Sequence, residues 1–327
     1  MAHIAVMKCA DSIPLHRLAK QYQRLGIPMS RSTLTDLFHA TAEKLAPLSQ
    51  RLVQLVAQSE IVQADETSLV MQKPFKRGFV WTFLSDQIIA YRFAPDRSGE
   101  TPHAVLGGTQ GTLVVDAYTG YNRVVDVDGR SRSSCLAHVR RRFFEALTSK
   151  PVEARRAMDL ILEIYRVEHE AKKLGIVRTQ AHLETRGREA MDAFLAWLEQ
   201  NKDHFPPKSA MGQAISYARN RGDTLTRFLD DVRIPLDNNA AESALRVVAL
   251  GRKNFMFVGN PDCGENLAGL YSLIATCDLH GVDPLEYLKD VLLRVDVHPA
   301  ADIDQILPHR WTPPPPPFVL DVDAESA

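Results

Sequence analysis

The stretch from Glu60 to Asp116 constrains the fold more than any other part of the chain. Ile61-Val62-Gln63-Ala64-Asp65-Glu66-Thr67-Ser68-Leu69-Val70 has the composition of a strand, and two more strand-like runs follow, Gly78 to Leu84 and Ile88 to Phe93, around a Ser85-Asp86-Gln87 turn. Connections this short join antiparallel neighbours. A helix from about Thr101 to Leu106 then leads through Gly107-Gly108 into Thr112-Leu113-Val114-Val115-Asp116, an apolar run suited to the middle of a sheet.

Strand, strand, strand, helix, strand is the order of a ribonuclease-H-like sheet. The predicted fold class is therefore α/β, with a mixed ribonuclease-H-like core, a large all-α insertion and flanking helices. Ahead of the core, from Ile13 to Leu37, two short helices surround a Gly26-Ile27-Pro28 break, the second opened by Ser30 or Ser32. This spacing fits either a helix-turn-helix or an ordinary helical hairpin. Another amphipathic helix, with Pro47 in its first turn and Leu48, Leu52, Leu55 and Val56 on one face, runs toward Ser59.

Beyond Arg140 the residues to about Leu229 are rich in Ala, Leu, Glu and Arg, a helical composition broken at Pro206-Pro207. No convincing strand pattern follows this block. Asn238 to Leu250 and Leu267 to Leu293 supply further helices, the latter interrupted by a Gly281-Val282-Asp283-Pro284 turn. The expected organisation is a helix-turn-helix-like region at 1–58, the first part of the core at 59–143 and the insertion at 144–232. A helix bearing Glu242 closes the core at 233–260, a helical region occupies 261–311, and a proline-rich tail, expected to be disordered, occupies 312–327.

A chain of 327 residues with 45% hydrophobic and 24% charged content buries a substantial core. No apolar run has the length needed to cross a bilayer, and the start is too short in apolar residues for a secretory signal, so a cytoplasmic location is the default expectation. The formal charge of −1 excludes a global attraction to nucleic acid. Any DNA contact must come from local basic patches.

Asp65 and Asp116 stand in or just after apolar strand runs, where an ionised carboxylate is costly unless it reaches water, a partner or a metal. Each alone could simply begin a turn. On adjacent strands the two would converge. Glu242 opens a helix three residues after Asn239, a spacing that fits a capping box as well as a metal ligand. Crowded carboxylates repel and raise one another's pKa, and two Mg²⁺ ions convert that repulsion into binding. Phosphoryl transfer uses such a set, one ion activating the attacking oxygen and the other steadying the leaving one. Hard oxygen ligands favour Mg²⁺ or Mn²⁺ over zinc.

Cys135-Leu136-Ala137-His138 offers half of a zinc site, but Cys263 and Cys277 do not form a matching second half, and no zinc is expected. Arg140, Arg141 and Arg142 follow directly, with Arg130 and Arg132 just upstream. These arginines are candidate phosphate contacts, with a solvated helix face as the alternative. Arg252 and Lys253, with Arg246, form a second basic group after Glu242, and Arg252 and Lys253 are further candidate DNA contacts.

Taken in order, a set of short motifs resembles the insertion-sequence-66 family of transposases, whose catalytic region is of the Asp-Asp-Glu type. The motifs are Leu15-His16-Arg17, Arg31-Ser32-Thr33-Leu34, Ala64-Asp65-Glu66-Thr67, Asp116-Ala117-Tyr118-Thr119-Gly120-Tyr121 and Cys135-Leu136-Ala137-His138-Val139-Arg140-Arg141. Asp237-Asn238-Asn239-Ala240-Ala241-Glu242, Gly251-Arg252-Lys253-Asn254-Phe255 and Asp283-Pro284-Leu285-Glu286-Tyr287-Leu288 complete it, so the resemblance runs from about Ala10 to Trp311.

The resemblance implies that Asp65, Asp116 and Glu242 are the catalytic, metal-holding acids. It also implies that Cys135 and His138 are the Cys-x-x-His pair found between the second acid and the glutamate in several related transposases. The implied activity is metal-dependent DNA cleavage and strand transfer at insertion-sequence ends. Hydrolysis without joining, or DNA binding without chemistry, are the competing activities. The implied partner is double-stranded DNA, as element ends and target, with accessory proteins of the same element and a homodimer or larger assembly on DNA as further expectations. Family members usually carry cysteine zinc-finger and coiled-coil segments ahead of the helix-turn-helix-like part, and the sequence from Met1 shows neither, so incomplete end recognition is expected. Glu66, next to Asp65, alternates to the other strand face and is expected to matter far less.

Overall fold

The computed structural model describes residues 1–127, 129–173 and 183–313. At its centre are strands β1 (Ile61–Met71), β2 (Lys76–Leu84), β3 (Ile89–Ala94), β4 (Gly111–Val115) and β5 (Arg130–Ser134), in the spatial order β3-β2-β1-β4-β5. The first three are antiparallel and the last two run parallel to β1. The expected mixed α/β core is what forms, with the helix α5 (Glu100–Leu106) crossing between β3 and β4.

Two strands lie outside the sequence expectation. Nothing in Arg130-Ser-Arg-Ser-Ser134 shows apolar alternation, and this strand forms by pairing with β4 from Gly111↔Arg130 to Val115↔Ser134. Burial of the Arg130 side chain, not β propensity, holds it. The other is β6 (Phe257–Val258), which pairs with the far end of β1 at Val70 and Met71 and is too short to leave a pattern.

Alternation of side chains places helices on both faces of the sheet. Val114 joins one buried cluster, whereas its neighbours Leu113 and Val115 join another. The Val114 cluster is the core of the helical insertion, built from α6 (Leu136–Ala146), α7 (Pro151–Lys173) and the helices Arg188–Asn201 and Ala210–Arg219. Phe143 anchors it, meeting Phe194 and Trp197 edge-on at 6.2 and 6.0 Å between centroids.

The other cluster joins the sheet to the N-terminal helices α1 (Ala2–Cys9), α2 (Leu15–Arg24), α3 (Arg31–Lys44) and α4 (Ala46–Gln58). Between α2 and α3, Gly26 has φ +77°, which only glycine adopts cheaply. Ser30 then caps α3, its Oγ accepting from the Thr33 N–H at 3.1 Å. Edge strand β3 is covered by the helix Pro261–Leu279. Tyr91 N–H donates to Ser272 Oγ at 2.8 Å and Ile89 N–H to Thr276 Oγ1 at 3.2 Å, so hydroxyls stand in for a further strand. The helix Pro284–Arg294 follows a turn at Gly281 and is capped by Asp283.

Among the described residues no helix is long and apolar enough to cross a membrane. The tail expected to be disordered falls, from Pro314 onward, outside the described residues.

Candidate active site

Register alone brings the two aspartates together. The parallel pairing of β1 with β4 runs through Ile61↔Thr112, Val62↔Leu113 and Gln63↔Val114. Extended two residues past the last pair, the same register sets Asp65 of β1 against Asp116, the residue that follows β4. Along β1, burial alternates cleanly at Val62 and Ala64 and again at Leu69 and Met71, but is interrupted from Asp65 to Ser68, where the polar residues lie.

Each aspartate is held by backbone amides. Asp65 Oδ1 accepts from the Glu66 N–H at 2.9 Å, and Asp116 Oδ1 from the Tyr118 N–H at 2.8 Å, which closes a turn just past β4. Arg132 fixes that turn from β5 by donating to the Asp116 carbonyl at 3.0 Å and to Asn122 Oδ1 at 2.9 Å.

Glu242 arrives on a short helix, Asn239–Ala244, at the start of which Asp237, Asn238 and Asn239 have distinct tasks. Asp237 accepts from Asn239 Nδ2 at 2.8 Å and from the Tyr165 hydroxyl of α7 at 2.9 Å, which ties the segment to the insertion. Asn238 is buried and donates Nδ2 to the Ala64 carbonyl at 2.8 Å. Its own N–H donates to Cys135 Sγ at 3.2 Å, and Leu136 N–H to the Leu236 carbonyl at 3.0 Å. The capping-box alternative for Glu242 is not what forms, because the Asn239 amide turns to Asp237.

The acidic neighbours of Asp65 bear on its charge. Burial is the main cause that pushes the Asp65 pKa up to about 7, with the Glu66, Asp116 and Glu242 charges adding to it and the Glu66 amide opposing. A carboxylate held protonated near neutrality by burial and three acidic neighbours is the donor set that a divalent cation converts to full ionisation. Asp65, with Asp116 near it, is thus a carboxylate site suited to a hard metal ion, while the Glu242 carboxylate groups with Cys135 and His138 instead.

Glu66, the neighbour of Asp65 on β1, has partners of its own. Its side chain is 1% exposed, and it accepts from the Tyr121 hydroxyl and from Arg97 Nε, each at 2.7 Å. Burial raises its pKa, and Tyr121 and Arg97 counter this. Arg97 in turn lies 4.1 Å from the Tyr118 ring centroid. Sequence reasoning overlooked Arg97 and Tyr121, although Tyr121 stands within the Asp116 motif.

The basic residues separate into two kinds. Arg130 requires a correction, since at 1% exposure it cannot reach a phosphate. Its guanidinium donates to Thr109 Oγ1 at 2.7 Å and to the carbonyls of Ala57 and Ser59 at 2.8 and 2.9 Å, and burial pulls its pKa down to about 10. It clamps the end of α4 to the sheet. Arg252 is tied to β1 through the Ser68 carbonyl at 2.6 Å. Arg140, Arg141, Arg142 and Lys253 are exposed. Arg141 and Arg142 sit three and four residues after His138, on the same face of α6.

Cys135 caps the start of α6, and His138 follows in its first turn with Nδ1 3.6 Å from Glu242 Oε1. The sequence sought a second pair of cysteines for this motif, and the residue that meets it is Glu242.

The chain matches the Transposase IS66 family over residues 1–266 and the IS66 C-terminal element over residues 272–309. It is 31% identical to the uncharacterized protein y4qI of Sinorhizobium fredii over 96% of its own length and 62% of that protein's. It is 34% identical to the uncharacterized protein y4jD of the same organism, over 95% of its own length and 65% of that protein's. The chain thus spans a little under two thirds of the curated relatives it matches, and it belongs to the IS66 transposase family.

Proposed function

We propose that this chain catalyses divalent-metal-dependent cleavage and strand transfer of double-stranded DNA at insertion-sequence ends, with Asp65, Asp116 and Glu242 as the catalytic acids. The observation that carries this reading is the parallel β1–β4 register, which leads Asp65 toward Asp116 just past β4, with the Asp116 and Glu242 charges near enough to help raise the Asp65 pKa.

Mg²⁺ or Mn²⁺ held by these acids would supply Lewis-acid activation of water or a 3′-hydroxyl and charge stabilisation at the leaving oxygen. The chain's own part is placement. Backbone amides fix the two aspartates, and Asn238 fixes the start of the helix carrying Glu242 against β1. Arg140, Arg141, Arg142 and Lys253 offer exposed positive charge for the phosphate backbone, and Arg132 contributes by shaping the Asp116 turn.

The experiment is to measure nicking and strand transfer separately on duplexes carrying the element's ends, with Mg²⁺ and with each of Asp65→Asn, Asp116→Asn and Glu242→Gln. Both activities in the parent, and neither in any variant that stays folded, is the expected result. Nicking without joining would make the chain a nuclease, and activity surviving all three substitutions would refute the site.

A further inference from the structure

Cys135, His138 and Glu242 meet from two separate segments, the start of α6 and the first turn of the Asn239–Ala244 helix. A sulfur, a ring nitrogen and a carboxylate oxygen from these residues all lie within 4.8 Å of one another. The protein's own hydrogen bonds leave this cluster incomplete. His138 Nδ1 is sealed from solvent and has no hydrogen-bond partner. It faces Glu242 Oε1 at 3.6 Å, beyond hydrogen-bond range. Two ligand atoms, each about 2.0–2.2 Å from one tetrahedral ion, stand about 3.4 Å apart.

Burial raises the Cys135 thiol pKa to about 11, and the backbone amides of Asn238, His138 and Ala137 oppose that rise by favouring the thiolate. A bound divalent cation would complete the deprotonation, releasing the thiol proton to solvent. One thiolate and one carboxylate then neutralise the ion, and the assembly carries no net charge. A sulfur, nitrogen and oxygen set suits a zinc-class ion and is a poor match for Mg²⁺.

We propose that Cys135, His138 and Glu242 form a binding site for a thiophilic divalent cation of the zinc class, with a fourth position left for water. Occupancy draws the Glu242 carboxylate toward α6 and away from the two aspartates. The same glutamate thereby belongs to a hard-metal set and a soft-metal set in competition, and zinc-class ions inhibit the Mg²⁺ reaction. Only this inhibitory consequence rests on the function proposed above; the binding site does not.

The test titrates the metal-free full chain with Co²⁺ in excess Mg²⁺ and follows the thiolate-to-cobalt charge-transfer absorption. One tetrahedral Co²⁺ per chain is expected, displaced by one equivalent of Zn²⁺. Cys135→Ser abolishes the charge-transfer band, His138→Ala and Glu242→Gln weaken binding about tenfold or more, and Cys263→Ser changes nothing. Glu242 is exposed, so its variant reports on binding even if Cys135→Ser fails to fold. No charge-transfer band in the parent chain, or a band that survives in folded Cys135→Ser, overturns the proposal. DNA cleavage without a cobalt band would refute the ion site alone. A cobalt band in a chain that never cleaves DNA would refute the transposase reading and leave the ion site standing.

Discussion

Asn238 donates its side-chain amide to the Ala64 carbonyl at 2.8 Å and its backbone N–H to Cys135 Sγ at 3.2 Å. One buried residue thus links the strand position beside Asp65, the start of α6 and the helix that carries Glu242. Replacing Asn238 with alanine removes a donor from a buried carbonyl, at a cost of about 1–3 kcal/mol. It also frees Glu242 to drift, and a misplacement of about 1 Å can cost about 10²-fold in rate. Asn238→Ala is expected to lower both the thermal midpoint and metal-dependent cleavage, the latter by about tenfold or more. A lowered midpoint with full cleavage activity would confine Asn238 to stability.

The raised Asp65 pKa predicts how stability responds to pH in the metal-free protein. An unfolded aspartate titrates near about 3.9. In the fold, the value of about 7 reflects burial first and then the charges of Glu66, Asp116 and Glu242. Between these values the folded chain keeps a proton that the unfolded chain has lost. The stabilisation is therefore complete below about pH 4 and lost as pH rises through about 7. Its ceiling is about 4 kcal/mol, less where the neighbouring acids titrate together. Melting curves at pH 5.5 and 8 should show the loss, Mg²⁺ should restore the midpoint at pH 8, and Asp65→Asn should remove most of the difference. An identical pH response in Asp65→Asn would refute this assignment.

How much of this was legible in the sequence depended on the kind of force involved. Apolar pattern located β1 to β4, and their order placed Asp65 beside Asp116 because parallel register is a local consequence of strand pairing. Arg130-Ser-Arg-Ser-Ser134 left no such trace, since its strand is held by a neighbour's ladder and by a buried guanidinium. Exposed and buried arginines look alike in a sequence, so Arg130 stood among the phosphate contacts. Glu242 meets Asp65 across more than half the chain, and no local pattern could separate it from a helix cap. The choice of Glu242 as a catalytic acid came from the family resemblance alone. The meeting of Cys135 and His138 with Glu242 is likewise a tertiary event.

Glu66 and Arg97 give a prediction about coupling. The Glu66 carboxylate is almost fully enclosed while Arg97 is 45% exposed, so the pair is a partly screened ion pair with one dry end. Removing either partner should destabilise the chain by about 1–3 kcal/mol, and the two losses should overlap instead of adding. A double-mutant cycle with Glu66→Gln and Arg97→Ala, read by urea unfolding, measures that overlap. Strict additivity would mean that the pair contributes no interaction of its own.

The arginines divide into a buried structural group and an exposed group that we propose to face DNA, and the salt dependence of binding separates the two. Arg141 and Arg142 lie on the His138 face of α6 and are well exposed; their long ion pairs to Glu145, at 3.4 and 3.7 Å, cost little to exchange for a phosphate, and Arg142 also lies 5.3 Å from the Tyr217 ring centroid. Each phosphate contact contributes about 0.9 to the slope of log affinity against log salt on duplex DNA. Arg141→Ala and Arg142→Ala should each reduce the slope by about that amount and weaken binding to all sequences alike. Arg130→Ala should leave the slope of the folded protein unchanged, because its guanidinium is spent on the carbonyls of Ala57 and Ser59. It should instead lower stability by about 1.5–3 kcal/mol for each charge-assisted hydrogen bond left unreplaced. Titrations at several salt concentrations, with thermal midpoints on the same samples, check both halves. A slope that falls in Arg130→Ala and holds in the α6 variants would reverse the assignment.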